Sequence, residues 1–180
     1  MLLYKYFRVI NNVIDDLSLF IVQKSLKTKN NRELYSYLFI LDNKDHDIKE
    51  LNTILINKES TYSFSCYLET LWSFDEKTVT VTWIEAKKEY KNKGLSSFLL
   101  ICAAYIAETF RLEIFELDDV SDNFRKPNNL YTKLSFRYIE DGFPEMLGRT
   151  KHIIRKWRHI KYKYYFNFDI FKSLIPRKNN

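Results

Sequence analysis

The chain has 180 residues, of which 46% are hydrophobic and 17% aromatic, which is enough for one compact domain with a sizeable core. This composition excludes a disordered protein, and no apolar run approaches the roughly 20 residues of a membrane-spanning helix. The net charge is +6, the two cysteines lie far apart, and the three histidines have no metal-ligand spacing. We predict a reduced, cytoplasmic protein that binds no metal and no membrane.

The segments before residue 78 are predicted from the spacing of their apolar residues and from their loop-forming residues. Alternation favours a strand, and apolar residues three or four apart favour a helix. The apolar segment 33–41 fits either. The predicted elements are, in chain order, a strand over 3–10, a helix over 12–26, a polar loop over 27–31 and, after the ambiguous segment, a helix over 47–56 and a strand over 62–67.

A strand-like run leads into a helix-like run at Gly94, one of only three glycines in the chain. Residues 78–84 are β-branched and aromatic, as strands prefer, whereas residues 95–107 are apolar nearly throughout and contain no Gly or Pro. A glycine between them lets the backbone turn tightly and expose amides at the positive end of a helix, which is how proteins hold phosphate oxygens. The pattern therefore predicts a phosphate site over residues 91–97.

Two further blocks follow in order, a strand-like run over 112–117 and the segment Asn-Asn-Leu-Tyr-Thr-Lys-Leu-Ser-Phe over 128–136. Together with the glycine loop, these blocks resemble the GNAT acetyltransferase superfamily over about residues 78–138. The coenzyme A pyrophosphate loop of that family has the pattern Arg/Gln-x-x-Gly-x-Gly/Ala, and its later block has the pattern N…LYeKLGF. Three blocks in the family's order are far more specific than one.

The chain departs from the family pattern at three positions. Lys91 replaces the Arg or Gln, Ser96 replaces the second small residue of the loop, and Ser135 replaces the glycine before the final phenylalanine. A lysine is a point charge without the planar fork of arginine. Residues 118–122 and 144–146 also look like segments of GNAT-like proteins from large DNA viruses, which would place the protein in the host cytoplasm.

The resemblance implies an α/β fold with a central mixed β-sheet flanked by helices. It implies transfer of an acetyl group from acetyl-CoA to a primary amine by direct attack in a ternary complex. The acceptor stays open among small amines, lysine side chains and protein N-termini. The resemblance assigns coenzyme contacts to Ile84, Glu85, Ala86, Lys91, Asn92, Lys93, Gly94, Leu95, Ser96, Ser97 and Asn123.

Two catalytic roles follow from the same resemblance. Tyr131 matches the family tyrosine that protonates the coenzyme A sulfur, although a tyrosine beside Leu130 is also typical of a packed core. Glu85 is favoured as the general base because its strand lines the reaction site in the family. A second carboxylate cluster at the end of the next strand is the alternative base; its members are Glu116, Asp118 and Asp119.

Residues 149–180 contain ten Lys or Arg and one acidic residue, so this segment carries +9 and residues 1–148 carry −3. We predict a GNAT-like domain over 1–148 and a basic, aromatic C-terminal extension over 149–180 that packs on it. One face of the predicted helix in this extension is apolar: Ile153, Ile154, Trp157, Ile160 and Tyr164. The other face is largely basic: Lys151, Arg155, Lys156, Arg158 and Lys163.

The basic extension allows a second function class. Aromatic residues between basic ones are typical of surfaces that stack bases and meet phosphates. The alternative to the enzyme is therefore a catalytically inactive GNAT-fold protein that binds nucleic acid or a protein partner through this extension. A helix that docks with its apolar face and leaves its charges in solvent is favoured over this alternative.

Overall fold

A computed structural model describes residues 2–11, 17–27, 32–42, 64–160 and 164–174. The strands are β1 (Leu2–Asn11), β2 (Leu17–Lys27), β3 (Arg32–Asp42), β4 (Cys66–Ser73), β5 (Thr78–Ala86), β6 (Ile114–Asp118), β7 (Arg137–Tyr138), β8 (Glu145–Arg149) and β9 (Tyr164–Tyr165). The α-helices are α1 (Leu95–Thr109), α2 (Leu130–Lys133) and α3 (Thr150–Ile160), and short 3-10 helices cover Lys88–Tyr90 and Phe168–Leu174.

The described strands form one mixed sheet in the order β7-β8-β6-β5-β4-β3-β2-β1-β9. The pair β5–β6 is parallel, and every other pair of neighbours is antiparallel. Because parallel neighbours need a crossover connection, α1 links β5 to β6 as a βαβ unit. A mixed sheet flanked by helices confirms the predicted fold class.

The parallel pair β5–β6 is short, and this opens the sheet. β6 pairs with β5 only at Thr78, Val79 and Thr80, whereas β4 pairs with β5 as far as Ala86. Among the described strands, the edge of β5 that faces β6 therefore has no ladder partner over residues 81–86. The two strands part just before the chain turns toward α1.

The predicted helix over 12–26 is wrong, because residues 17–27 form strand β2. The side chains of Leu17, Leu19 and Ile21 belong to the main core, and those of Phe20 and Val22 belong to a second cluster on the other face of the sheet. A strand buried on both faces shows a continuous apolar run instead of alternation, and such a run also fits a helix. The segment 33–41, whose largely apolar run made it ambiguous in the sequence, lies in strand β3.

The other predicted elements fare better where the structure describes them. Strands are confirmed at β1, β5 and β6, and the helix after Gly94 is confirmed as α1. The strand predicted over 62–67 begins at Cys66 and continues to Ser73. The helix over 47–56 and residues 28–31 of the polar loop lie outside the described residues.

Helix α1 forms the centre of the core. Ten of its fifteen side chains are buried, which explains why its sequence is apolar on every side. Aromatic side chains from the end of the chain contact it: the Trp157 ring lies 6.0 Å from Phe98, and the Phe168 ring stacks 4.0 Å from Tyr105. Tyr164, predicted on the apolar face of the helix, lies instead in β9, because α3 ends at Ile160.

Candidate active site

A cavity of about 720 Å³ lies where β5 separates from β6. Its wall contains every residue of the predicted coenzyme set except Lys93. The open end of β5, the loop after it, the start of α1 and the loop after β6 thus meet at one place. The wall also contains residues that the sequence analysis did not assign to the site: Tyr90, Ser121, Asn128, Leu130, Lys133, Leu134 and Lys156.

The glycine loop makes a tight turn into α1. Gly94 has φ 83° and ψ 8°, a left-handed conformation that glycine adopts without steric cost, and Asn92 before it has φ 62°. Gly94 is the N-cap of α1, and no side chain in the described ranges caps the helix. The first amides of a helix lack intrahelical partners and carry partial positive charge, so this end of α1 suits an anion.

Lys93 has a different position from its neighbours. Its Nζ lies 5.1 Å from the centre of the Tyr90 ring, within the range of a cation–π contact. That contact is consistent with its absence from the cavity wall.

Lysines from three separate elements line the cavity. Lys91 comes from the loop, Lys133 from α2 and Lys156 from the basic helix α3. Three cations beside a helix start favour a ligand with several negative charges. Lys133 lies in the block over 128–136 and was within reach of sequence reasoning. Lys156 was not, because only the packing of α3 beside α1 brings it to the site.

The Cys66 thiol lies behind the loop and is chemically quiet. Its Sγ is 3.5 Å from the Ser96 Oγ at the start of α1. Burial raises the pKa of the Cys66 thiol to about 12, so the thiol is uncharged at neutral pH. Because the thiolate is the reactive form, Cys66 is a packing residue.

Helix α2 has only four residues, and the structure caps it at both ends. The Asn129 Oδ1 accepts hydrogen bonds from the backbone N–H of Tyr131, at 2.7 Å, and of Thr132, at 3.2 Å. At the other end Ser135 has φ 73°, its N–H donates to Thr132, and the N–H of Phe136 donates to Tyr131. This is a Schellman motif, and Ser135 occupies its left-handed position, where glycine is the usual residue.

Tyr131 is both a wall residue and a packed one. Its side chain is 7% exposed, and its ring lies edge-on to Phe136 at 6.0 Å. Burial, helped by the negative charge of Asp119, raises the pKa of Tyr131 to about 12. The hydroxyl therefore stays protonated at neutral pH, and the residue lines the cavity. Tyr131 is thus a buried core residue and also part of the cavity wall.

The candidate bases separate clearly. Glu85 lines the cavity, and its Oε2 accepts a hydrogen bond of 3.3 Å from the indole N–H of Trp83. Of the alternative cluster, all three residues are described and none lines the cavity. Asp118 is exposed, whereas Asp119 is buried and fully engaged in hydrogen bonds.

In the described part of the chain, no three His, Cys, Asp or Glu side chains lie together as a metal site requires. Nor does any helix there have the length and apolar character to cross a membrane.

No protein-family model matches the chain, and no curated protein matches it in sequence. Solved structures are similar to it in part. The spermidine/spermine N-acetyltransferase SpeG from Vibrio cholerae has 13% identity and a TM-score of 0.46 over 68% of this chain and 69% of that one. Nourseothricin acetyltransferase has 12% identity and a TM-score of 0.46, over 82% of this chain and 98% of that one. Tetrahymena Gcn5 has 12% identity and a TM-score of 0.41, over 64% of this chain and 68% of that one.

The residues of this chain give the site its character. A strand with a free edge, a basic loop, an uncapped helix start and a protonated tyrosine surround one cavity. The coenzyme contacts and catalytic roles that the resemblance to the GNAT superfamily assigns to residues of this cavity stay predictions.

Proposed function

We propose that the protein is an N-acetyltransferase that transfers the acetyl group of acetyl-CoA to a primary amine by direct attack in a ternary complex. One observation carries the proposal: the free edge of β5 and the start of α1 open into the same cavity, which Tyr131 also lines. A coenzyme with an anionic pyrophosphate and an amide-rich arm needs both features side by side.

The pyrophosphate would bind at the first amides of α1, where Leu95, Ser96 and Ser97 line the cavity. The cationic side chains of Lys91, Lys133 and Lys156 add charge complementarity. The pantetheine arm would lie along residues 81–86 of β5, whose free backbone groups can pair with its amides as a neighbouring strand would. A backbone N–H of this edge would polarise the thioester carbonyl.

The chemical step needs a proton acceptor and a proton donor. The neutral amine nitrogen attacks the thioester carbon, and the tetrahedral intermediate expels the coenzyme A thiolate. Tyr131 would donate its proton to that sulfur, because its hydroxyl is protonated at neutral pH and the departing thiolate needs a proton. Glu85 would accept a proton from the acceptor ammonium, directly or through water, to give the neutral amine that attacks. The second proton of that nitrogen would leave to water as the amide forms.

The test is acetyl-CoA turnover with three acceptor classes: a small polyamine, a lysine-containing peptide with a blocked N-terminus, and a peptide with a free N-terminus. A thiol-reactive dye reports free coenzyme A, and mass spectrometry identifies the acetylated product. We expect amine-dependent thiol release with at least one class, and a loss of about 10²-fold or more in Tyr131→Phe with coenzyme affinity unchanged. Binding of acetyl-CoA without acetylation of any class would contradict the enzymatic function.

A further inference from the structure

We propose that Asp119 is a positioning residue whose buried carboxylate holds, through Asn129, the start of α2 and with it the Tyr131 hydroxyl at the cavity. The proposal rests on the proposed function, in which Tyr131 protonates the departing thiolate. Asp119 itself does not touch the cavity. Its effect on the reaction therefore has to pass through other residues.

Asp119 is placed at the end of β6 with both carboxylate oxygens occupied. The side chain is 2% exposed. Its Oδ1 accepts hydrogen bonds from the backbone N–H and the hydroxyl of Ser121, at 3.2 Å and 2.6 Å. Its Oδ2 accepts hydrogen bonds from the Asn129 amide and the Tyr138 hydroxyl, each at 2.5 Å. Four donors converge on a group that only accepts, as a carboxylate does and an amide cannot.

Asn129 connects Asp119 to Tyr131 by hydrogen bonds. It is completely buried. Its amide nitrogen donates to Asp119 and, at 3.1 Å, to the Asn123 carbonyl, while its amide oxygen caps the backbone N–H groups of Tyr131 and Thr132. A four-residue helix is too short to hold its own geometry in water. The direction of α2, and hence the place of the Tyr131 ring, depends on this cap.

A second arm of the network holds the loop beside the cavity. The Tyr138 hydroxyl donates to Asp119 and accepts a hydrogen bond of 2.9 Å from the Arg125 backbone N–H. The Arg125 guanidinium lies over the Tyr138 ring at 4.7 Å and pairs with Asp141 at 3.0 Å. Asp119 thus connects β6, the loop after it, α2 and β7. Removal of its carboxylate would therefore release the N-terminal end of α2, which lines the cavity.

A double-mutant cycle between Asp119→Asn and Tyr131→Phe tests the proposal by turnover and by acetyl-CoA binding. We expect Asp119→Asn to lower kcat by about ten- to a hundredfold, since displacement of a catalytic group by 1 Å costs up to roughly 10²-fold. In the Tyr131→Phe background the same change should lower kcat by no more than about twofold further. Losses that multiply, or an unchanged kcat in Asp119→Asn, would overturn the proposal.

Two companion variants separate positioning from general damage. Asn129→Ser keeps a good N-cap for α2 but removes the amide that reaches Asp119, so it should reproduce the kcat loss and its dependence on Tyr131 even if Asp119→Asn folds poorly. Asp122→Asn is the matched control, because Asp122 is an exposed carboxylate of the same loop outside the cavity wall. It should retain wild-type turnover; a loss equal to that of Asp119→Asn would count against the proposal.

A readout independent of turnover distinguishes this inference from the proposed function. If the wild-type protein binds acetyl-CoA but acetylates nothing, the enzymatic function fails, and amide hydrogen exchange then decides on Asp119. We expect Asp119→Asn to speed exchange at the Tyr131 and Thr132 amides at least tenfold relative to the amides in the middle of α1. Exchange that is unchanged at α2, or raised equally in α1, would overturn the positioning role.

Discussion

Ser135 has a strained backbone conformation at the end of α2. It occupies the left-handed position that ends α2, with φ 73°, where a side chain costs about 1–2 kcal/mol relative to the right-handed conformation. Glycine has no such cost but loses more backbone entropy on folding. A glycine at position 135 would avoid the steric cost of this turn, which the serine of this chain bears.

Ser135→Gly should stabilise the protein. We expect the free energy of unfolding to rise by up to about 1 kcal/mol and Tm by roughly 2–4 °C, which chemical and thermal denaturation measure. Asn92→Gly is the companion, since Asn92 has φ 62° but asparagine tolerates that conformation better than serine. Its gain should be smaller, and a loss of stability in Ser135→Gly would show that the hydroxyl contributes more than the strain costs.

At the same scale, the residues near Gly94 were assigned to the candidate site from a glycine between a strand-like and a helix-like run, and the segment over 128–136 from its resemblance to the family block. The N-cap and Schellman motif of α2 involve only residues 129–136. Asp119 and Lys156 could not be assigned in this way. Their roles depend on contacts across ten residues or more of chain, made by packing that no local pattern encodes.

At the scale of elements, β8 packs against Phe136, which contacts Tyr131, the proposed proton donor. A Cβ at Gly148 would lie 2.9 Å from two carbons of the Phe136 ring, closer than a side chain tolerates. Phe136 in turn meets the Tyr131 ring edge-on. The close approach of β8 to Phe136 therefore leaves no room for a side chain at position 148 beside the ring that contacts Tyr131.

Gly148→Ala should therefore destabilise the fold, by roughly 1–3 kcal/mol in urea unfolding, since an added methyl group forces buried neighbours aside. The smaller ring-free side chain of Phe136→Leu leaves room for that methyl group. In this background we expect Gly148→Ala to cost clearly less. The same cost in both backgrounds would show that the contact with the Phe136 ring is not the cause.

Among the elements, the sequence predicted α1 correctly from a long apolar run and β5 correctly from its β-branched and aromatic residues, whereas the apolar spacing used for β2 failed. The failure has a physical origin, because β2 is an interior strand between β1 and β3, with Leu19 and Phe20 buried on opposite faces. A strand buried on both faces loses the alternation that reveals a strand with one face in solvent. The sheet order, which would have resolved the ambiguity, depends on long-range pairing.

At the scale of the whole molecule, the side chains of the basic helix α3 have three different environments: the cavity wall, the solvent and the core. Lys156 lines the cavity, whereas Lys151, Arg155 and Arg158 are exposed. Trp157, on the same helix, packs against Phe98 and Phe168. The helix thus has a packing role and a lysine at the site. A nucleic-acid surface on the exposed cations stays a less favoured prediction, with salt-dependent binding as its signature.

The two sides of α3 provide matched variants for ligand binding. Lys156→Ala removes a cation from the cavity wall, and Arg155→Ala removes an exposed cation from the adjacent position. We expect Lys156→Ala to weaken acetyl-CoA binding roughly fivefold, about 1 kcal/mol, and Arg155→Ala to leave the Kd unchanged. Equal effects would indicate only a general attraction by the net positive charge.

Calorimetric titration of acetyl-CoA into the wild-type protein and into Ser97→Glu tests the central claim most directly. Ser97 is the third residue of α1 and lines the cavity. A glutamate there suits the helix start but repels a pyrophosphate. We predict saturable 1:1 binding by the wild type, with stabilisation of about 2.7 kcal/mol at a hundredfold excess over Kd, and a folded Ser97→Glu protein that does not bind. Absence of binding by folded wild type at millimolar acetyl-CoA, or equal binding by Ser97→Glu, would contradict the account.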